Sequence, residues 1–114
     1  MPLLRKEKKD MAKIIVQSIN IKSDGYDPSV LDIPVGEHVE WTNEDNQTRT
    51  VTSIDGLFES GEIKHDDTFL HTFNEEGSFS YYSRLGSSPR GIAISGTINV
   101  KPSETKSKLE NQKK

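Results

Sequence analysis

The sequence predicts an all-β fold, a sandwich or barrel of two packed sheets built from about seven or eight strands. Three observations predict it. Short segments that alternate apolar and polar residues, the period of an extended chain with one buried face, recur through the middle of the 114 residues. Clusters of Gly, Asp, Asn and Ser separate them at close spacing, as turns between strands require. No segment carries a convincing helical repeat of apolar residues.

The elements follow in order. Ile15, Gln17, Ile19 and Ile21 share one side of the first segment, and Ile14, Val16 and Ser18 the other. Ser23-Asp24-Gly25 is a turn. Val30 to Ile33 is a short strand closed by Pro34-Val35-Gly36-Glu37. Val39 and Trp41 alternate with His38, Glu40 and Thr42, which makes a half-buried strand with His38 toward solvent. Asn43-Glu44-Asp45-Asn46 breaks it. Thr48 to Ser53 is rich in β-branched residues, and Asp55-Gly56 and Ser60-Gly61 are turns. Phe69, His71 and Phe73 alternate with Thr68, Leu70 and Thr72, so His71 is expected to face inward with a hydrogen bond. Glu75-Glu76-Gly77 turns the chain. Phe79, Tyr81 and Ser83 then share a face, and Ile98 and Val100 share one on the last strand. Trp41, Phe69, Phe73, Phe79 and Tyr81 are read as core. Arg84 to Ser95 is expected to be the longest loop of the folded region.

Composition narrows the function. Charged residues make up 29% and hydrophobic residues 31%, polar for a globular chain, and much of that polarity lies at the ends. Residues 13–101 are expected to form one domain, between a solvated basic tail over residues 1–12 with Arg5, Lys6, Lys8 and Lys9, and a charged tail over residues 102–114. Net charge is -3 and the bases concentrate in the tails, so neither nucleic acid nor a membrane surface is an expected partner. The core aromatics lack the basic interleaving of a nucleic-acid surface. No run approaches the roughly 18 apolar residues of a membrane span. The absence of cysteine excludes disulfides, thiolate metal sites and cysteine nucleophiles. Met1-Pro2-Leu3-Leu4-Arg5-Lys6 lacks the apolar stretch of a secretory signal. The compartment stays open: cytoplasmic, or extracytoplasmic if an export segment has been removed.

Several segments, taken in order, resemble the cupredoxin family, the group of plastocyanin, halocyanin and amicyanin. They are Gly25-Tyr26-Asp27-Pro28, Ile33 to Asp45, Arg49-Thr50-Val51-Thr52-Ser53, Phe58-Glu59-Ser60-Gly61, Phe69 to Phe73, and Gly77 to Tyr82 with Ile94 to Val100 behind it. The resemblance spans about Ile15 to Val100 and implies a Greek-key β-sandwich. It also implies where the family's copper ligands fall. The first histidine falls on Arg49, the cysteine on Ser83, the second histidine on Gly86, and the methionine on Ile94, or on Ala93 if the loop gap sits differently. Ser88-Pro89-Arg90-Gly91 keeps the loop's punctuation.

All four positions depart from the family's pattern. A serine hydroxyl is a hard, protonated ligand where a soft thiolate is needed. Glycine and isoleucine offer no side-chain donor. Arginine stays protonated, and at an effective dielectric near 20 a charge ~4 Å away repels a unit charge by roughly 4 kcal/mol. Copper, the family's cofactor, is therefore not expected here, and no other cofactor is. Arg49 is read as filling the emptied site and bonding loop carbonyls or Ser83. Alternatively, Arg49, Arg84 and Arg90 form a small cationic surface for an anionic partner. Ser83 caps its strand; no Gly-x-Ser-x-Gly elbow surrounds it, so hydrolase chemistry is not expected. His65, Asp66 and Asp67 form the one local cluster with metal-ligand character, read first as a polar turn and second as a weak adventitious metal site. The expected function is a non-enzymatic, copper-free binding or scaffold module, monomeric, with an unidentified protein partner. The alternatives are an electron carrier or copper-handling protein by family resemblance, and a small-ligand module.

Overall fold

The computed structural model describes residues 15–102, and the two expected tails lie outside the described residues except for Pro102. Eight strands are present: β1 Val16–Lys22, β2 Gly25–Asp27, β3 Val30–Pro34, β4 His38–Asn43, β5 Thr52–Ser53, β6 Thr68–Thr72, β7 Gly77–Tyr82 and β8 Ser95–Lys101. They form two four-stranded sheets, ordered β2-β1-β4-β6 and β3-β8-β7-β5. Two of the pairings, β1 with β4 and β3 with β8, are parallel, so the chain passes through the other sheet between the strands of each of these pairs. This is the all-β sandwich of the sequence prediction.

Side chains from both sheets meet in one core. Ile19 and Ile21 of β1, Val39 and Trp41 of β4, and Tyr81, Ile98 and Val100 of β7 and β8 are buried. Trp41 is its centre: Phe69 and Tyr81 lie 5.7 and 5.4 Å from it, and Phe58 and Phe73 at 6.4 Å. These separations are those of edge-on and tilted aromatic packing. Of the five aromatics read as core, Trp41, Phe73 and Tyr81 are buried, while Phe69 and Phe79 pack from its rim.

The structure departs from the expectations at several points. Strand β1 begins only at Val16, and Ile15 is exposed because no partner strand reaches it. Gly25 opens β2 instead of ending the turn; the hairpin loop is the two residues Ser23 and Asp24, with Gly25 at φ 152°. Of the β-branched run 48–53, only Thr52 and Ser53 join a sheet. Its earlier residues are held by bridges to the following segment, Arg49 with Ile63, and by side-chain hydroxyls. The connection 54–67 is longer than the 83–94 loop and brings Phe58 and Ile63 into the core. His38 is half-buried and shares a hydrogen bond with the Thr72 hydroxyl. His71 does face inward, but its neighbours are rings: Phe58 and Phe73 lie 4.8 Å away.

Gly96 is required by close approach. A Cβ there would sit 2.6 Å from the Tyr81 hydroxyl, 2.7 Å from its Cζ and 2.9 Å from the Ser29 carbonyl oxygen. The Tyr81 ring cannot yield, since Tyr26 packs edge-on 4.6 Å away and Trp41 holds another side. Gly96→Ala is therefore expected to destabilise the fold by about 3 kcal/mol, the upper range for overpacking, read as a lowered urea midpoint with an unchanged slope.

Candidate functional site

One end of the sandwich gathers the four positions singled out in the sequence. Asn43, buried at the end of β4, builds its floor. Its side-chain amide donates to the carbonyls of Gln47 and Ile63 at 2.9 and 2.8 Å, and its Oδ1 accepts the Asp45 N–H at 2.8 Å. This Asx turn aims the Asp45 carboxylate at Arg49, one helical turn's spacing later in sequence but on a loop.

Arg49 is 0% exposed. Its Nε donates to Asp45 Oδ2 at 2.8 Å, and Nη2 lies 2.7 Å from the same oxygen. Nη2 also donates to the carbonyls of Ser23, in the β1–β2 turn, and Ser87, in the 83–94 loop, at 3.1 and 3.0 Å. One guanidinium thus ties three loops together and is neutralised by one carboxylate, while Nη1 is buried with no hydrogen-bond partner among the described residues. The stem is fixed by a reciprocal backbone pair with Ile63.

The other three positions close around it. Ser83 Oγ accepts the Thr50 N–H at 2.9 Å and donates to the Leu85 carbonyl at 2.6 Å. Its own N–H donates to the Ile94 carbonyl at 3.0 Å, which closes the loop. Ile94 is buried and contributes to the core. Gly86 has φ +72°, and a Cβ on it would meet Gln47 Oε1 at 2.8 Å and Arg49 Nη1 at 3.1 Å. The space into which a side chain at position 86 would grow is filled by the guanidinium. Ala93, the alternative to Ile94, is exposed and lines a neighbouring cleft.

Tested against a type 1 copper ion, this donor set does not fit. It offers no thiolate, imidazole or thioether, the serine hydroxyl both accepts and donates a hydrogen bond already, and the Asp45-paired guanidinium is buried among these positions. The partners of Ser83 Oγ are both backbone groups, the Thr50 N–H and the Leu85 carbonyl.

Of the three arginines considered as a cationic surface, Arg49 is interior. Arg84 is exposed and pairs with Glu59, Nε to Oε1 at 3.3 Å. Burial alone would raise the Glu59 carboxyl, but hydrogen bonds from the Gly61 N–H, Arg84 and Thr52 together hold it below its usual range. Arg90 is exposed at the tip of the 83–94 loop. An anionic partner would meet Arg84 and Arg90 there, not Arg49. His65 shares a hydrogen bond with the Asp45 carbonyl through Nδ1 at 3.1 Å, and its Nε2 lies 3.4 Å from Asp66. Asp66 has φ 71° and Asp67 turns back to Lys64, an exposed polar turn. Among the described residues no group of three or more His, Cys, Asp or Glu side chains is placed to hold a metal ion. Nor is any helix there long and apolar enough to cross a membrane.

Two features of this end are not evident from the sequence motifs. Asp45, the counter-ion, lies within the turn after β4, and its four-residue spacing from Arg49 is the signal that could have found it. Tyr26 was the other: its hydroxyl donates to the Thr50 carbonyl at 2.6 Å from a buried ring, and burial raises its pKa above the ordinary phenol range. An open cleft of about 630 Å³ lies beside the site, between the β1–β2 turn and the 83–94 loop, with Tyr26, Lys22, Asp27, Ser88 and Ile94 in its walls.

His71 sits elsewhere. Burial among aromatic rings lowers its pKa below the ordinary 6.5. The folded state then binds fewer protons than the unfolded chain, so stability falls as pH drops below about 6.5 and levels off below the folded-state value. His71→Gln is expected to flatten that part of the stability curve, and an NMR titration of the ring protons would report the depressed midpoint directly.

Comparison with known proteins gives three informative likenesses. A novel purple cupredoxin from Nitrosopumilus maritimus matches 75% of this chain and 99% of its own, at 32% identity and a TM-score of 0.64. The copper-containing nitrite reductase of Thermus scotoductus SA-01 matches 78% of this chain and 23% of its own, at 22% identity and a TM-score of 0.64. An amicyanin variant in its Cu(I) form matches 79% of this chain and 88% of its own, at 21% identity and a TM-score of 0.65. The last two likenesses bear on the fold alone. No protein-family model and no curated protein matches.

Proposed function

This chain belongs to the cupredoxin family, and we propose that it works there without copper, as a non-enzymatic binding or scaffold module. The observation that carries the proposal is the buried Arg49 guanidinium, paired with Asp45 at 2.7 Å and bonded to two loop carbonyls where the family pattern places its metal. Bringing a cation beside a desolvated arginine is unfavourable. The loops around that position are held together by this guanidinium and by the Ser83 N–H bond to the Ile94 carbonyl.

The binding surface of this module is the loop end, with Arg84, Arg90 and the exposed Ile92 on its rim. A second form of the function, a small-ligand module, is favoured by the 630 Å³ cleft there, a volume in the usual range for ligand sites. That cleft lies beside the former metal position, whose own space Arg49 and Ile94 occupy.

Copper chemistry is the test. Copper(II) added to the purified chain and then passed through a desalting column is expected to leave less than stoichiometric metal and no intense visible absorption. A blue or purple band with one copper per chain would overturn the proposal and restore the electron carrier. Binding at the loop end would be read by NMR shift mapping, with Arg84→Glu and Arg90→Glu variants as controls.

A further inference from the structure

A second pocket lies at the end of the sandwich remote from Arg49. Strand β4 runs between the two: His38, at its start, pairs with Thr72 in the pocket wall, and Asn43, at its end, builds the floor beneath Arg49. The pocket has a volume of about 250 Å³. Its walls include His71 of β6, Phe73 and Glu75 just after that strand, Phe79 of β7, and Leu57 and Phe58 of the 54–67 connection.

Size sets the first constraint on an occupant. Sites for drug-sized ligands run from about 300 to 1,000 Å³, so this one suits a single ring with a short chain. The walls set the second. Phe58, His71 and Phe73 lie with ring centroids 4.8 to 5.5 Å apart, and Phe79 lies 5.8 Å from Phe73. A further aromatic ring extends such a cluster through the same edge-on and tilted contacts. Leu57, 57% exposed, offers apolar surface that an entering ring would cover.

Charge sets the third. Glu75 is the one Asp, Glu, Lys or Arg in the pocket wall, and it is exposed. Burial holds His71 below the ordinary 6.5, so the imidazole adds no positive charge at pH 7. Residues 15–102 carry six Lys and Arg against fourteen Asp and Glu, a net charge of -8 that attracts cations and repels anions. The rings pack against one another and form no cage for a cation, so a cationic head belongs at Glu75 with its aromatic ring inside.

We propose that this pocket binds a small arylalkylammonium, a molecule with one aromatic ring and a protonated amine on a short arm. The ring packs against Phe58, Phe73 and Phe79, and the ammonium pairs with the Glu75 carboxylate. The site is separate from the loop end, and the proposal stands or falls independently of the function proposed there.

Phenethylamine, phenethyl alcohol and phenylacetate place an ammonium, a hydroxyl and a carboxylate on nearly the same frame. Each would be titrated into the whole 114-residue chain and followed by NMR. Ligands of about ten non-hydrogen atoms are expected to saturate in the millimolar range. Phenethylamine is expected to shift the resonances of Leu57, the His71 ring and Glu75. It should bind up to about fivefold tighter than phenethyl alcohol, the most that an exposed ion pair supplies. Phenylacetate should bind weakest. Glu75→Gln, an exposed change, should bring the amine down to the alcohol's affinity and leave the alcohol's unchanged. Leu57→Ser, also exposed, should weaken both. Added salt should shrink the preference for the amine. Equal affinity for all three ligands, or a preference for the amine that survives Glu75→Gln, would overturn the proposal. So would shifts confined to the 630 Å³ cleft at the other end, or no saturable shift at Leu57 and His71.

Discussion

Arg49→Ala is expected to cost the fold about 3–5 kcal/mol, the range for removing one partner of a buried ion pair. For a domain of this size that corresponds to a fall in Tm of at least about 12 °C. The loss has three sources. The Asp45 carboxylate, only 9% exposed, is left without its counter-ion. The carbonyls of Ser23 and Ser87 lose a charged donor. A void opens beneath Gly86, where the guanidinium now packs. The double variant Arg49→Met, Asp45→Asn should recover much of the stability, because it removes both charges and keeps most of the volume. Urea denaturation of the three proteins distinguishes the cases. A loss below about 1 kcal/mol in Arg49→Ala would mean that the guanidinium behaves as a solvated surface group, and the loop-tying role would be lost with it.

The core was legible because it obeys period two. Ile19 and Ile21, Val39 and Trp41, and Ile98 and Val100 alternate with polar neighbours, and every one is buried. The departures fall where burial comes from something other than a strand. Phe58 and Ile63 reach the core from a connection tied by isolated bridges, which leave no periodic trace. Ile15 fits the alternation but lies beyond the last partner residue on β4, and is exposed. The site divides in the same way. Its four positions followed from the resemblance, and chemistry alone said that they could not hold copper. Which loops Arg49 would bind was not legible, because Ser23 and Ser87 contribute backbone carbonyls, which every residue has. Such contacts are set by where the loops converge and not by the residue types in them.

If the frame of the site survives beneath Arg49, its chemistry can be restored. The fourfold variant Arg49→His, Ser83→Cys, Gly86→His, Ile94→Met is expected to take up one copper(II) per chain and to develop an intense visible band, as a thiolate with two imidazoles and a weak thioether does. Each step has a local reason to succeed. The Thr50 N–H that now bonds Ser83 Oγ is aimed at the place a thiolate sulfur would take. Isoleucine to methionine nearly conserves volume at a buried position. The left-handed backbone at Gly86 is one that histidine adopts more readily than most residues. Once Arg49 is gone, the closest remaining obstacle there is the amide end of the flexible Gln47 side chain. The threefold variant that keeps Arg49 is the decisive control. It would supply a thiolate, one imidazole and a thioether, yet it is expected to stay colourless, because the guanidinium still fills the space beside position 86 and adds its charge. A coloured threefold variant would show that Arg49 had not displaced the metal. A fourfold variant that folds by circular dichroism yet binds no copper would show that the frame itself had been lost.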